Sequence, residues 1–442
     1  MTEYVYGISK SGLSVIKLLT LQKKTFNCWD DDAGIRKSLK KKFSKLNFSP
    51  INNTDLEKYN NVYLTPGLSI FDEKFSKVSK SKIKRDLNLY NQNLKNEKVV
   101  AITGTNGKST TTKLIGDIIK RKSKNTFVGG NIGDALCNSI LHKSRFLYHV
   151  IELSSFQLET IKNFEPKISI LLNLSKDHLD RYKNFNNYIN AKKNILNSKN
   201  KNINLISIDD QYSKKIFNDN KIKNKISFSL NNNSADVYFS NGFIVDRYFY
   251  KHKIFKLNNI SSDLSNYYNI QNILAAYIVC KYLKIPVKYF TESVIKFKGL
   301  PFRSSIIFNS KSKIIINNSK ATNVSSALLT LNNKRNIHLI LGGIAKKEDE
   351  FHHFNKYKDN IIKIYIYGKS RSLINRQIGL SKISKVLTSL DNVVNNLWKD
   401  LSSFDSKATI IFAPACASFD QFENFEKRGN YFNKLILNKI KK

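Results

Sequence analysis

The stretch VVAITGTNGKSTTTKLIG, residues 99–116, runs from an apolar tetrapeptide through two glycines and a lysine into four consecutive hydroxyl residues. Val99 to Ile102 has the length and apolarity of a buried strand, and the residues after Lys108 have helical character. Between them, Gly104 and Gly107 allow successive backbone N–H groups to curl around a phosphate, and the following helix adds its positive end. Thr105, Asn106 and Thr110 complete the turn. Lys108 can reach terminal phosphates, and the Ser109 hydroxyl can coordinate Mg²⁺. The plainer alternative is a glycine turn that only caps a helix; strand context and the Lys-Ser-Thr run favour phosphate. The spacing GxxGKS is shorter than the GxxxxGK[ST] of motor and GTPase loops, which argues against those classes.

Outward from this turn the pattern repeats. The run FLYHVIE ends in Glu152, followed by Leu153-Ser154-Ser155-Phe156-Gln157. A carboxylate at a strand end beside a phosphate loop is where a further Mg²⁺ contact belongs. The run ISILLNLS leads to Lys176-Asp177-His178, so His178 is expected at a third strand end on the same sheet edge, as a ligand. Alternating strands and helices imply a parallel sheet covered on both faces. Residues 225–257 alternate polar and aromatic residues around Asn241-Gly242, which predicts a hairpin on an antiparallel patch.

Before residue 92 the sequence reads as strand, Gly7 turn, helix and a second strand ending at Asp30, then a lysine-rich helix over roughly 72–96. The Gly7 turn and the helix after it suit a pyrophosphate, although Ser9 stands where a second glycine is usual, and a nicotinamide-binding fold fits this segment equally well. After GLPFR, near residue 297, KIIINNSKATN, IHLILGG, KIYIYGKS and ATIIFAPACAS each pair an apolar run with small or polar residues. The reading is α/β with three domains. Residues 1–92 are Rossmann-like. Residues 93–296 form a P-loop ATPase-like parallel sheet with a small antiparallel patch, and residues 297–442 are Rossmann-like again.

The chain has 442 residues and a formal net charge of +40, from 74 Lys and Arg against 34 Asp and Glu. Such a balance can signal nucleic acid or acidic lipid. Here the excess is mostly Lys, spread over every segment beside abundant Asn and Ile, and no basic cluster accompanies a nucleic-acid-reading motif, so compositional drift is favoured. A nucleic-acid-dependent ATPase would want a strand ending Asp-Glu, where this chain has ELSSFQ. The four cysteines lie far apart, which excludes a CxxC metal or redox motif and suits reduced thiols. The beginning MTEYVYGISKSG has no basic segment leading into an apolar one, and no apolar run could span a bilayer, so a cytoplasmic protein without membrane insertion is expected.

The motifs GTNGKST, NIG (131–133), ELSSFQLE, DHLDRY and YINAKKN resemble the central domain of the Mur ligases, ATP-dependent amide-forming enzymes of peptidoglycan assembly. NNSKATN (317–323), LGG (341–343) and PACASFDQFENFEKRGNYF (414–432) resemble the member that takes D-glutamate, rather than sister ligases or folylpolyglutamate synthase. The resemblance implies that ATP phosphorylates the carboxylate of UDP-N-acetylmuramoyl-L-alanine and that the amine of D-glutamate displaces phosphate. It assigns the phosphate loop 104–110 to ATP, with Lys108 catalytic, and Glu152, His178 and Ser109 to a pair of Mg²⁺ sites. Lys192 of YINAKKN matches a lysine that the family carbamylates with CO₂, turning a cation into an oxygen ligand; without the match it would be read as a solvated charge. Asn272, Arg303 and Asn318 match nucleotide contacts. Asn131, Ser154 and Gln157, with Ser11 and Asp30 in the first domain, match the UDP-substrate side. Lys320, Thr322, Lys346, Ser418 and Phe425 match the region that receives D-glutamate, with Ser418 expected to open a helix. A monomer is implied. Asn318 for the family's Asp, Ile344-Ala345 after LGG, and Ser304 after FR depart from the pattern, each removing negative charge.

Overall fold

Apolar runs alternating with helices produce three sheets in the computed structural model, which describes residues 2–51, 56–179, 181–196, 202–250, 253–404 and 406–440. The described chain divides into two compact units: Met1–Leu174, Asn186–Asn259 and Ile270–Ile295 make the first, and Ser175–Phe185, Ile260–Asn269 and Lys296–Lys442 the second.

The first unit holds two sheets. In the smaller, β1 (Glu3–Tyr6), β2 (Phe26–Trp29), β3 (Val62–Leu64) and β4 (Ile83–Lys84) lie parallel in the order β2-β1-β3-β4. The larger begins with β5 (Lys98–Thr103), β6 (Thr126–Gly130), β7 (Tyr148–Glu152) and β8 (Ile168–Leu171). It continues through β9 (Ile203–Ser207), β10 (Lys225–Ser229), β11 (Val237–Ser240), β12 (Phe243–Asp246) and β13 (Lys253–Lys256). Their order is β13-β12-β11-β10-β9-β8-β5-β7-β6. Strand β5 is therefore central, between β8 and β7, and its residues 99–103 are all buried. That double-sided burial explains its unbroken apolar run.

Two local expectations are corrected. Residues 72–96 are not one helix: a 3₁₀ turn at Glu73–Phe75, β4, and a helix at Asp86–Gln92 take their place. Phe75, Val78 and Ile83 enter the core of the small sheet, and Asn88 Oδ1 accepts the Arg85 N–H at 2.7 Å, which starts the helix only there. In 225–257, the hairpin forms at Asn241-Gly242 between β11 and β12, but β10 runs parallel to β9 and belongs to the main sheet. Four of its five residues are buried, as a strand covered on both faces requires.

The second unit holds β14 (Ser305–Asn309), β15 (Lys313–Asn317), β16 (Ile337–Gly342), β17 (Ile361–Tyr367), β18 (Ser384–Val386) and β19 (Ala408–Phe412). The order is β14-β15-β19-β16-β17-β18, parallel except for β14 at the edge. No helix among the described residues is long and apolar enough to cross a membrane. All four cysteines are buried and free.

Two buried histidines give the fold an acid limit. Burial pushes His149 of β7, whose Nδ1 lies 2.7 Å from Tyr90 Oη, and His338 of β16 down to about 4 from 6.5. The folded pKa is the lower one, so between pH 6.5 and about 4 the unfolded chain binds protons that the folded chain refuses. Stability is expected to fall across that window by up to about 1.4 kcal/mol per pH unit for each histidine. Melting temperatures measured against pH check this: His149→Gln and His338→Gln should each flatten the slope. Equal slopes in wild type and both variants would refute it.

Candidate active site

Three neighbouring strands, β8, β5 and β7, bring their C-terminal ends together, and the loop after β5 carries the phosphate motif. Gly107 has φ +83° at the N-cap of the helix Lys108–Lys122, and a Cβ there would lie 2.4 Å from Asn272 Oδ1. Only glycine fits that approach. Asn272, 2% exposed, also accepts from Thr111 Oγ1 at 2.9 Å, so the predicted nucleotide contact is seated against the loop. The Asn106 N–H donates to Asn173 Oδ1 at 2.8 Å, and Thr105 Oγ1 lies 3.1 Å from Tyr188 Oη. Thr110 is in the first turn of the helix.

Lys108 Nζ folds back onto the loop, donating to Gly104 O at 2.9 Å and Thr105 O at 2.8 Å. Lys192 Nζ donates to the same Gly104 carbonyl at 2.8 Å and lies 4.7 Å from the centre of the Tyr188 ring. Two ammonium groups thus converge on one carbonyl oxygen. Lys192 is 2% exposed, which overturns its reading as a solvated charge; Lys193, one position on and so about 100° around the helix, points outward and pairs with Asp219 at 2.6 Å.

Ser109 Oγ donates to Glu152 Oε2, and Asn131 Nδ2 donates to Glu152 Oε1 at 2.7 Å. A hydroxyl and a buried carboxylate are hard oxygen donors, the set Mg²⁺ prefers, so these residues fit the expected ion. Gln157 lies in the short helix Ser155–Leu158 capped by Ser154. Its Nε2 donates to both oxygens of buried Asp86 at 3.2 Å, and its Oε1 accepts the Ser154 N–H at 3.1 Å.

Also in the first unit, Gly7, with φ +83°, turns the chain into the helix Lys10–Leu21. Asp30 Oδ2 accepts the Ile8 N–H at 2.6 Å, and Ser11 Oγ lies 3.0 Å from Thr65 Oγ1. A cavity of about 240 Å³ is lined by Ser11, Lys10, Thr65, Asp86, Asn131 and Gln157, with neighbouring residues. It brings together Ser11, Asn131 and Gln157 of the substrate-side residues, while Asp30 and Ser154 lie outside its lining.

The second unit holds the remaining predicted residues. Strand β8 ends at Leu171, so His178 is not at a strand end; it lies in the segment Ser175–Phe185, which packs with the second unit. Asp180 falls outside the described residues. His178 has φ +58°, an uncommon conformation for a side chain of its size. Lys346 Nζ pairs with Asp177 Oδ1 and lies 3.5 Å from His178 Nδ1. Burial works against the Lys346 charge, but Asp177 outweighs it and the amine is raised above its ordinary value. Asp177 Oδ2 accepts from Asn323 Nδ2 at 3.2 Å, tying this segment to the turn that carries Lys320 and Thr322.

Lys320 Nζ sits 3.7 Å from the centre of the Phe425 ring. Fully buried Arg428 bridges the two C-terminal motifs, donating to Ser319 O at 2.7 Å and Cys416 O at 3.0 Å. Ser418 is buried in a turn and does not open a helix; Asn424 Oδ1 accepts the Lys427 N–H at 2.8 Å and the helix begins at Phe425. Asn318 turns its amide inward, donating to Thr330 Oγ1 at 2.6 Å. Arg303 lies between Phe302 and Ser304, with φ of +62° and +51°. Sequence reasoning missed Asp177, Asp86 and Arg428: an acidic residue beside a histidine was visible, but its partners are distant in the chain.

A doubly covered parallel sheet with a lysine-bearing phosphate turn, a buried carboxylate and a second α/β unit defines a nucleotide-dependent α/β enzyme. Residues 102–280 match the Mur ligase middle domain. The UDP-N-acetylmuramoylalanine–D-glutamate ligase of Rickettsia bellii is 33% identical, covering 98% of this chain and 96% of its own. That of Fusobacterium nucleatum is 35% identical over 77% and 78%. Among solved structures, UDP-N-acetylmuramate-alanine ligase MurC from Thermotoga maritima superposes with TM-score 0.61 at 17% identity, covering 99% and 100% of the two chains. MurF ligase from Thermotoga maritima in complex with ADP gives 0.59 at 18% identity over 86% and 90%. The chain belongs to the Mur ligase family.

Proposed function

We propose that this chain is an ATP-dependent ligase that joins the amine of D-glutamate to the carboxylate of UDP-N-acetylmuramoyl-L-alanine. The γ-phosphoryl group of ATP passes to the substrate carboxylate, the amine attacks the acyl phosphate, and inorganic phosphate leaves as the amide forms. Residues 1–92 take the UDP substrate, 93–296 the ATP, and 297–442 the amino acid. The observation that carries this reading is the convergence of Lys108, Ser109, Glu152 and Lys192 on one loop. The reaction brings two carboxylates and a triphosphate together, so the site must supply positive charge and oxygen ligands at the same place.

Mg²⁺, held by Ser109, Glu152 and a carbamate on Lys192, would neutralise phosphate charge. Two ammonium groups on one carbonyl repel each other. Carbamylation of Lys192 would convert that pair into opposite charges and create an oxygen donor beside the loop. Lys346, Thr322, Ser418 and Phe425 would receive D-glutamate, whose two carboxylates call for a buried cation. The Rickettsia bellii D-glutamate ligase, 33% identical over 98% of this chain, supports this acceptor. The protein would act in the cytoplasm as a monomer.

Phosphate release tests the reading. It is expected only when ATP, Mg²⁺, UDP-N-acetylmuramoyl-L-alanine and D-glutamate are all present. Equal turnover with L-glutamate or L-alanine would overturn it. Asn318→Asp offers a finer check. The aspartate would lose the donor to Thr330 and force that hydroxyl to turn around, a change worth about 1–2 kcal/mol. The Michaelis constant for ATP should change by about tenfold or less, with D-glutamate selection intact. Lost selection would place Asn318 at the acceptor.

A further inference from the structure

We infer that Arg85 is a positioning residue for the UDP-substrate cavity, holding two parts of its wall in register; this rests on the reading of that cavity above. Arg85 is fully buried just ahead of the helix Asp86–Gln92. Its Nη1 donates to Leu64 O at 3.1 Å and Thr65 O at 2.7 Å, and its Nη2 donates to Leu68 O at 2.8 Å and to Glu159 Oε1. Three of these acceptors belong to one turn, residues 64–68, whose Thr65, Pro66 and Gly67 line the cavity. The fourth stands two residues after Gln157, which lines it as well.

The clamp extends beyond the backbone. Thr65 Oγ1 lies 2.7 Å from Ser9 Oγ and 3.0 Å from Ser11 Oγ, so the carbonyl that Arg85 holds belongs to the residue bracing the Gly7 turn. On the other side, Asn88 Oδ1 accepts from Thr160 Oγ1 at 2.7 Å, and Asp86 receives the Gln157 amide. The segment 85–88 therefore stitches a loop of the small sheet to a helix of the large one. A buried ion pair is a poor device for stability alone, since apolar residues of similar volume commonly do as well. What a planar guanidinium does, and an apolar side chain cannot, is fix several acceptors at once in a set geometry.

The test is Arg85→Lys, which keeps charge and most of the volume but loses the fork, with Glu159→Gln as a milder partner. The Michaelis constant for UDP-N-acetylmuramoyl-L-alanine should rise about tenfold in Arg85→Lys and less in Glu159→Gln. Constants for ATP and D-glutamate, and kcat, should stay near wild type. Calorimetric titration with UDP alone should show weaker binding in the same order, a readout that needs no turnover. If wild type binds UDP yet makes no amide, the ligase reading fails while this one stands. A lowered melting temperature with an unchanged UDP-substrate constant would overturn the inference. So would equal increases for all three substrates, which would mean general loosening.

Discussion

Lys192→Ala is expected to lower phosphate release by at least about a hundredfold, the scale seen when one preorganised electrostatic group is removed from an active site. Lys192 is 2% exposed, so truncation also leaves a small void beside Tyr188, and the melting temperature should drop by a few degrees. A fold defect alone would not respond to small anions. Formate or acetate should restore part of the rate, by placing a carboxylate where the carbamate oxygens would stand. Lys193→Ala removes only an outward pair with Asp219, worth at most about 1 kcal/mol, and should leave the rate near wild type. A dead Lys193→Ala beside an active Lys192→Ala would place the modification on the wrong lysine. Lack of rescue by any small carboxylate would count against the carbamate.

Much of the central sheet was legible because strand and turn chemistry are local. Val99 to Ile102 can hide on both faces only as a central parallel strand, and the glycine at 107 has no room for a Cβ against Asn272. Glu152 could be placed by its strand end and Asn131 only by the resemblance of its NIG motif; their hydrogen bond follows from β6 and β7 being neighbours. Residues 72–96 were misread because lysine-rich polar sequence favours helix by propensity, while Phe75, Val78 and Ile83 are drawn to a core formed by distant strands. His178 was misplaced for a similar reason: the apolar run ends at Leu174, yet the pairing that defines β8 stops at Leu171. Ser418 was expected to open a helix because a two-carboxylate amino acid suits a helix N-terminus, but Asn424 supplies the cap and the helix begins at Phe425. Arg85, Asp177 and Arg428 were invisible as functional residues since their roles lie in contacts between segments far apart in the chain.

Asp177→Asn is expected to cost about as much activity as Lys346→Met, although only one of the two is expected to touch D-glutamate. Asp177 is 6% exposed and is the carboxylate against the Lys346 amine, with Asn323 on its other oxygen. Removing one member of such a pair strands the other charge in a poorly hydrated place, typically at about 3–5 kcal/mol. In Asp177→Asn the ammonium loses its anchor, so the Michaelis constant for D-glutamate should rise by about a hundredfold or more and the protein should melt earlier. In Lys346→Met the stranded group is Asp177, and the same two losses are expected. The double variant separates structure from chemistry. With neither member of the pair present, only buried Asp349 still misses the Lys346 charge, and the melting temperature should return part of the way to wild type. Turnover should not return, because a methionine cannot receive a carboxylate. Recovery of both stability and turnover would show that the Asp177–Lys346 pair is only structural and that the D-glutamate site lies elsewhere in the second unit.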